Sequence, residues 1–406
     1  MIIPRTELEE IERLKSWIFI FGRRKTGKTF FVKKFLKYDD YFFVRNINSI
    51  ISEKNGEMIY ETFIQLLKKS LETKSTIVID EFHRLGEKFL DFLHYTEKKG
   101  RIILISSTLH LSKELLSSRS PILGLFAEVP FSLPSLKDTL NALKEYKLDK
   151  KTLVESAILL REPITSEYFD ENTDLRTLTA EIIIRFMKAI PAMIGEIFSE
   201  EERNISNVYE GILRAVSTGK VISTEISSHL FSKELISKDN PGMIQQYLKN
   251  LTDFGILKKI KVLNKNKFVY KHVSPMAKIF YYADEKYNIS ERTLNKEEVK
   301  RLVDELMPRL VEDNLREFFA KEYGLEEQVC EGKDFDVDAC LLKFKKVDTV
   351  VEIKWTDKLS NSEVKLINEK LDLTAPKTKI LFVPNKEAIK IKVEGLRITD
   401  IGDFVN

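Results

Sequence analysis

The sequence predicts an α/β protein: a parallel sheet with a phosphate-binding loop and a helical lid, then a helical unit with a basic hairpin, then a small α/β unit. Three observations predict it. Short apolar runs alternate with helix-periodic stretches up to about residue 133. A Gly-x-x-x-x-Gly-Lys-Thr segment follows the first of those runs. Beyond residue 134 the strand signal stops, returning only near 258 and 333.

The elements follow in order. Residues 7–15 form a short charged helix, and Trp17–Phe21 (WIFIF) reads as a buried strand ending at Gly22. Residues 28–36 are helical, Tyr41–Val44 is a second strand, and 57–71 repeats apolar residues at helical spacing. Thr76–Ile79 is a strand, 89–97 a helix, and Arg101–Ile105 a strand. Residues 135–200 read as helices interrupted by Pro163 and Pro191. Helices over 206–216, 223–231 and 241–254 precede a lysine-rich hairpin at 258–271. A long charged helix or helix pair covers 296–322, two strands lie within 333–355, and 379–384 and 396–399 are last strands. The expected division is 1–133, 134–204, 205–290 and 295–406.

Composition narrows the function. A chain of 406 residues, 43% hydrophobic and 32% charged, can build two or three cores and is not disordered. Lys+Arg 66 against Asp+Glu 63 leaves +3, so any basic surface must be local. No apolar run approaches the ~18–20 residues of a membrane span. The N-terminal MIIPRTELEEIERLKSW carries acids where a signal peptide needs a basic start. Cys330 and Cys340 form no CxxC and the five histidines are scattered, which argues against a disulfide framework or a zinc site. A soluble cytoplasmic protein is expected.

The chemistry-bearing residues begin with Gly22-Arg23-Arg24-Lys25-Thr26-Gly27-Lys28-Thr29, followed by Phe30. The glycines let backbone N–H groups approach phosphate oxygens, Lys28 supplies a point charge to the β- and γ-phosphates, and Thr29 offers a hydroxyl to Mg²⁺. The strand Thr76–Ile79 runs into Asp80-Glu81, which places both carboxylates at the sheet edge beside the loop. Asp80 is then the metal-side acid, and Glu81 the group that orients or deprotonates water. Ser106-Ser107-Thr108 ends the next strand, where Ser107 is placed to sense the γ-phosphate or to cap a helix. Nothing in these residues reads the base, so ATP and GTP are not separated by them.

The order PRTELEEIERL, GRRKTGKT, IVIDEFHRL, ILISST resembles the archaeal ATPase family, P-loop enzymes of the AAA+/STAND group. The resemblance implies a Mg²⁺-dependent ATPase, with Arg5 near the base and 135–200 as the lid. The family's Leu-x-Gly-Arg segment matches Ile122-Leu123-Gly124-Leu125 here, so Leu125 stands where an arginine is expected; Arg119 lies nearby. Three helices and a hairpin over 205–290 resemble a winged helix. Lys258, Lys259, Lys261, Lys265, Lys267 and Lys271 would be its phosphate-contacting wing on DNA.

At the C-terminus Asp334, Asp336 and Asp338 share one strand face. If the turn centres on Lys345, Asp338 opposes Glu352 and Asp336 opposes Lys354. The set Asp338, Glu352, Lys354 resembles the PD-(D/E)xK nuclease superfamily, that is, a restriction-endonuclease-like domain, with Glu312 or Glu317 as an upstream acid. Two roles follow: an ATP-driven machine on DNA, or a STAND-type nucleotide switch acting on a protein partner with an inactive C-terminal scaffold.

Overall fold

The computed structural model describes residues 1–109, 112, 115, 123–186, 189–200, 206–292, 294–331 and 336–405. Among these, seven strands form the N-terminal sheet: β1 (Trp17–Phe21), β2 (Asp40–Asn46), β3 (Ser49–Ser52), β4 (Gly56–Met58), β5 (Thr76–Asp80), β6 (Arg101–Ser106) and β7 (Phe126–Pro130). Their order is β4-β3-β2-β5-β6-β1-β7. Strands β2, β5, β6, β1 and β7 are parallel, and β3 and β4 add an antiparallel edge. Alternation along β1 shows how the sheet is covered on both sides. Trp17 and Phe19 enter one core with the helices Tyr60–Glu72 and Glu87–Tyr95. Ile18 and Ile20 enter the other, with Ile11 and the helix Lys28–Phe35.

The expected strands sit where the apolar runs lie. The short hairpin β3–β4 and the edge strand β7 were not anticipated, since SIIS, GEM and FAEVP are too short or too polar to stand out. With β7 beside it, β1 is flanked on both sides. The C-terminal ends of β1, β5 and β6 therefore open onto one edge, where parallel sheets hold ligands.

The described elements between 135 and 200 are helices, as expected: Leu136–Leu143, Lys150–Leu159, the single turn Pro163–Ser166, Leu175–Phe186 and Ala189–Glu200. Next come helices Asn207–Ser217, Ser223–Ser232 and Gln245–Asp253, then a hairpin of β8 (Leu257–Lys261) and β9 (Phe268–His272). An unanticipated helix, Pro275–Tyr287, follows the hairpin, capped by the Ser274 hydroxyl on the Ala277 N–H.

Lys296–Tyr323 is one helix of 28 residues, opened by an Asn295/Glu298 capping box and ended by Gly324 in the left-handed conformation. Its buried stripe includes Leu302, Leu306, Leu310 and Phe319. These side chains join a single apolar core running from Leu136 to Ile401. This core runs across the expected boundaries near 204 and 295, while a second apolar cluster lies on the other face of the C-terminal sheet.

The C-terminal sheet has the order β10-β11-β12-β13-β14, from Glu326–Glu331, Asp336–Lys343, Lys346–Ile353, Thr378–Phe382 and Leu396–Thr399. The first three strands are antiparallel, and β12, β13 and β14 run parallel. Helix Asn361–Asp372 packs Val364, Ile367 and Leu371 on the sheet face opposite the long helix. Ala339 pairs with Val351, so Asp338 stands across from Glu352 as the sequence suggests. A bulge between Leu341 and Leu342 tightens the turn onto Phe344 and Lys345, both at positive φ. Asp336 behaves differently from expectation. It pairs with Glu331 of β10, while Lys354 lies beyond the end of β12 and turns its Nζ to Glu352. Asp334 falls outside the described residues.

Candidate nucleotide site

The loop after β1 is shaped by its glycines. A Cβ on Gly22 would stand 1.9 Å from the Phe131 carbonyl oxygen, because the segment leaving β7 crosses directly over it. Gly27 has φ of 89° and opens the helix Lys28–Phe35. Lys28 is buried, and its Nζ donates to the Gly22 and Arg23 carbonyls at 2.8 Å each. Burial pulls its pKa down to about 8 against the raising effect of Glu81 and Asp80, with Arg23 and Arg24 also lowering it.

The carboxylates stand as the spacing suggests. The Thr29 hydroxyl donates to Asp80 Oδ2 at 2.6 Å. The Tyr41 hydroxyl donates to the same oxygen at 2.5 Å, which with burial raises the Tyr41 pKa. Tyr41 was read only as a strand residue; its role depends on β2 pairing with β5, which no local pattern announces. Asp80 is 1% exposed, and its Oδ1 has no hydrogen-bond partner among the described residues. A buried carboxylate oxygen left without a donor, beside a threonine hydroxyl, fits Mg²⁺.

Glu81 follows at φ 58°, a left-handed conformation that turns the chain sharply after β5. Ser107 Oγ donates to Glu81 Oε2 at 2.9 Å, and His83 Nε2 lies 3.5 Å from the same oxygen. Burial, with Arg84 and Lys28, lowers the His83 pKa to about 4, so its ring is neutral at pH 7. Ser106 Oγ approaches the other ring nitrogen at 3.2 Å. Strand ends β5 and β6 thus hold one hydroxyl–carboxylate–imidazole group beside Lys28. His83 was missed because an isolated histidine carries no pattern.

The remaining loop residues are held from outside the sheet. Thr26 Oγ1 donates to the Arg23 carbonyl at 3.1 Å. Arg23 donates to both oxygens of Glu162 at 3.0 and 3.1 Å, with both side chains buried. Glu162 Oε2 also accepts from Ser274 Oγ at 2.5 Å. Arg24 and Lys25 approach Glu196 at 3.2 and 3.6 Å, and Phe30 is 55% exposed. Arg5 is engaged by Glu7 at 2.7 Å and the Ser132 carbonyl at 2.9 Å, and its guanidinium lies 3.9 Å from the Phe131 ring centroid. It braces the segment covering Gly22. Leu125 is half-buried against the β-sheet core, and Arg119 and Ile122 lie outside the described residues.

Residues 14–134 match an AAA domain. That segment of AAA type holds the phosphate loop, Asp80, Glu81 and Ser107. No curated protein matches the chain. Among solved structures, the Aeropyrum pernix ORC2 protein (ADPNP-ADP complexes) is 13% identical over 78% of this chain and 96% of its own, with TM-score 0.39. The A. pernix ORC1 protein in complex with DNA is 14% identical over 72% and 95%, with TM-score 0.32. Cdc6p of Pyrobaculum aerophilum is 14% identical over 74% and 93%, with TM-score 0.27. Likenesses this distant carry no statement about activity or partner.

Two further groups lie outside the AAA segment in sequence. Four of the six hairpin lysines pair within the chain: Lys258 with Glu327, Lys265 and Lys267 with Glu331, Lys271 with Asp313. Leu263 N–H donates to the Val329 carbonyl, so the hairpin is docked on β10. Lys259 lies over the Phe268 ring, and Lys261 is exposed.

At the C-terminal set, Asp338 Oδ2 accepts the Ile353 N–H at 2.7 Å. Glu352 is buried, its Oε1 held by Lys354 at 2.7 Å and Lys370 at 2.6 Å, its Oε2 without a hydrogen-bond partner among the described residues. Burial and the Glu352 charge raise the Asp338 pKa to about 6. Burial, with Asp338 and Asp313, raises that of Glu312 to about 7. Glu312 lies close enough to feel the Asp338 charge, whereas Glu317 pairs with Arg161 and Lys321. Among the described residues no three such side chains close on a common metal point.

Raised carboxyl pKa values give a stability signature. Folded Glu312 keeps its proton between the ordinary value of 4.5 and about 7, so its contribution to stability falls as pH rises through that window. Glu312→Gln is expected to stabilise the chain by about 2 kcal/mol at pH 8 and by little at pH 4.5, read by thermal unfolding at the two pH values. Equal effects at both would remove the buried-charge explanation.

Proposed function

We propose that the chain is a Mg²⁺-dependent ATPase whose nucleotide state is felt in its C-terminal half, where it is coupled to DNA binding or processing. The observation that carries this reading is the convergence of Lys28, the Thr29–Asp80 pair and the Ser107–Glu81 pair at one sheet edge. Lys28 is positioned to leave its loop carbonyls for the β- and γ-phosphate oxygens. Thr29 and Asp80 would hold Mg²⁺, which when bound neutralises phosphate charge. Glu81, oriented by Ser107, is placed to accept a proton from the attacking water. His83 stays neutral, so it does not compete for that charge.

The segment 205–290 is read as a winged helix and 295–406 as a restriction-endonuclease-like unit with Asp338, Glu352, Lys354 and Glu312 as its candidate site. With four hairpin lysines already paired, DNA contact through 258–271 would rest on Lys259 and Lys261, or on release of the hairpin from β10. The test is Mg²⁺-dependent cleavage of duplex DNA by wild type and Glu352→Ala. Cleavage lost in the variant supports the reading, and cleavage that survives places it elsewhere.

The buried Arg23–Glu162–Ser274 link favours the second reading, a STAND-type switch felt by a protein partner. It ties the phosphate loop to the cap of helix Pro275–Tyr287. MgATP is expected to change hydrogen exchange across 274–287 in wild type and not in Glu162→Gln, with ATP still bound by both. An identical response would remove the link as a relay.

A further inference from the structure

A cavity of about 200 Å³ lies between the β8–β9 hairpin, the helix Pro275–Tyr287 and the long helix. Arg161, Lys258, Lys271, Lys278 and Arg316 line it, against the carboxylates of Asp313, Glu317 and Glu327. Five cations face three anions.

The pairing shows where the excess sits. Glu317 is taken by Arg161 at 3.2 Å and Lys321 at 2.8 Å, and Glu327 by Lys258 at 2.5 Å. Asp313 alone faces Lys271 at 3.1 Å, Lys278 at 2.6 Å and Arg316 at 3.5 Å. One carboxylate thus stands against three cations. Burial would raise the Asp313 pKa, yet those cations hold it far below the carboxylate range. Asp313 favours the Lys271 ammonium, but burial and the like charges of Arg316 and Lys278 leave its pKa below the ordinary lysine value. Arg316 also donates through Nε to the Asp338 carbonyl and feels the charges of Asp338 and Glu312, so the excess rests mainly on Lys271 and Lys278.

Two polar atoms of residues lining this cavity are buried without hydrogen-bond partners among the described residues: Arg316 Nη1 and His272 Nδ1. Arg316 is 6% exposed. His272 Nε2 lies 2.9 Å from the Leu213 carbonyl, which can only accept, so the neutral ring carries its proton on Nε2. Its Nδ1 is therefore a bare acceptor.

An excess of buried cations around Asp313, with Arg316 Nη1 ion-paired but not hydrogen-bonded among the described residues, calls for an anion. We propose that this cavity binds a compact phosphate-type dianion. Its oxygens would meet Lys271, Lys278 and Arg316; in hydrogen phosphate the P–OH would also donate to His272 Nδ1, a contact that an esterified dianion lacks. The cavity exceeds the volume of several waters, room enough for a phosphate group. The source could be free phosphate or the 5′-phosphate end of a nucleic acid, since both present the same group.

The test uses the full chain carrying Lys28→Ala, so that the phosphate loop does not dominate the signal. Inorganic phosphate is titrated calorimetrically at fixed ionic strength, beside 5′-phosphorylated and 5′-hydroxyl oligonucleotides. One saturable phosphate site is expected, weakened at least tenfold by adding Lys271→Met and recovered with Lys271→Arg, which keeps the charge. Lys271 is a quarter exposed on the hairpin, and the Arg variant controls for folding. Competition by the phosphorylated oligonucleotide alone assigns the source to a nucleic-acid end, and its absence assigns free phosphate. No saturable binding, or binding untouched by Lys271→Met, overturns the site.

Discussion

Glu81→Gln is expected to bind MgATP with near wild-type affinity and to hydrolyse it at least ~100-fold more slowly. The substitution keeps the side-chain shape and lets Ser107 Oγ still donate to the amide oxygen, 2.9 Å away in the parent. What it removes is the proton acceptor. The left-handed turn at Glu81, φ 58°, presents this side chain beyond the end of β5, while Asp80 stays buried behind it. The backbone thereby gives two adjacent carboxylates different surroundings, which suits the different tasks proposed for them. Binding by equilibrium titration and turnover by single-turnover quench separate the two effects. Unimpaired turnover would move the base elsewhere, with His83 the nearest alternative in contact with Glu81.

Lys28→Ala is expected to abolish both tight nucleotide binding and turnover, with loss of at least ~100-fold in each. Unlike Glu81, Lys28 on the proposed reading would act on ground-state phosphates as well as on charge that grows in the transition state. Its ammonium also bridges the Gly22 and Arg23 carbonyls, so its removal loosens the loop itself. With its pKa near 8, some Lys28 is neutral at alkaline pH. Nucleotide-free protein should therefore show affinity falling as pH rises through 8, and phosphate charge should oppose that fall once bound. Retained affinity in Lys28→Ala would contradict the phosphate-loop assignment.

Much of this site was legible in the sequence, for identifiable reasons. The phosphate loop and Asp80-Glu81 are local signals: glycines at fixed spacing after a strand, and acids at a strand end. Their neighbours are not local. Tyr41 reaches Asp80 only because β2 lies beside β5, and Glu162 reaches Arg23 across 139 residues. Pairings of that range are products of tertiary packing and leave no periodic trace.

The C-terminal half divides the same way. The Asp338–Glu352 opposition follows from strand alternation and a short turn, and the pattern carried it. The Asp336–Lys354 opposition fails because Lys354 leaves the strand at Ile353. Helix Pro275–Tyr287 was hidden by Phe280, Tyr281 and Tyr282, residues that favour strands unless a buried face claims them. The hairpin lysines looked free because their partners, Glu327, Glu331 and Asp313, lie 42 to 69 residues away in a different element.

The most direct test of the account is ATP turnover by the intact chain in Mg²⁺, with and without duplex DNA, using Lys28→Ala as the blank. Turnover clearly above the blank, rising when DNA is added, is the predicted result. Turnover equal to the blank in both conditions, with ATP bound, would contradict it.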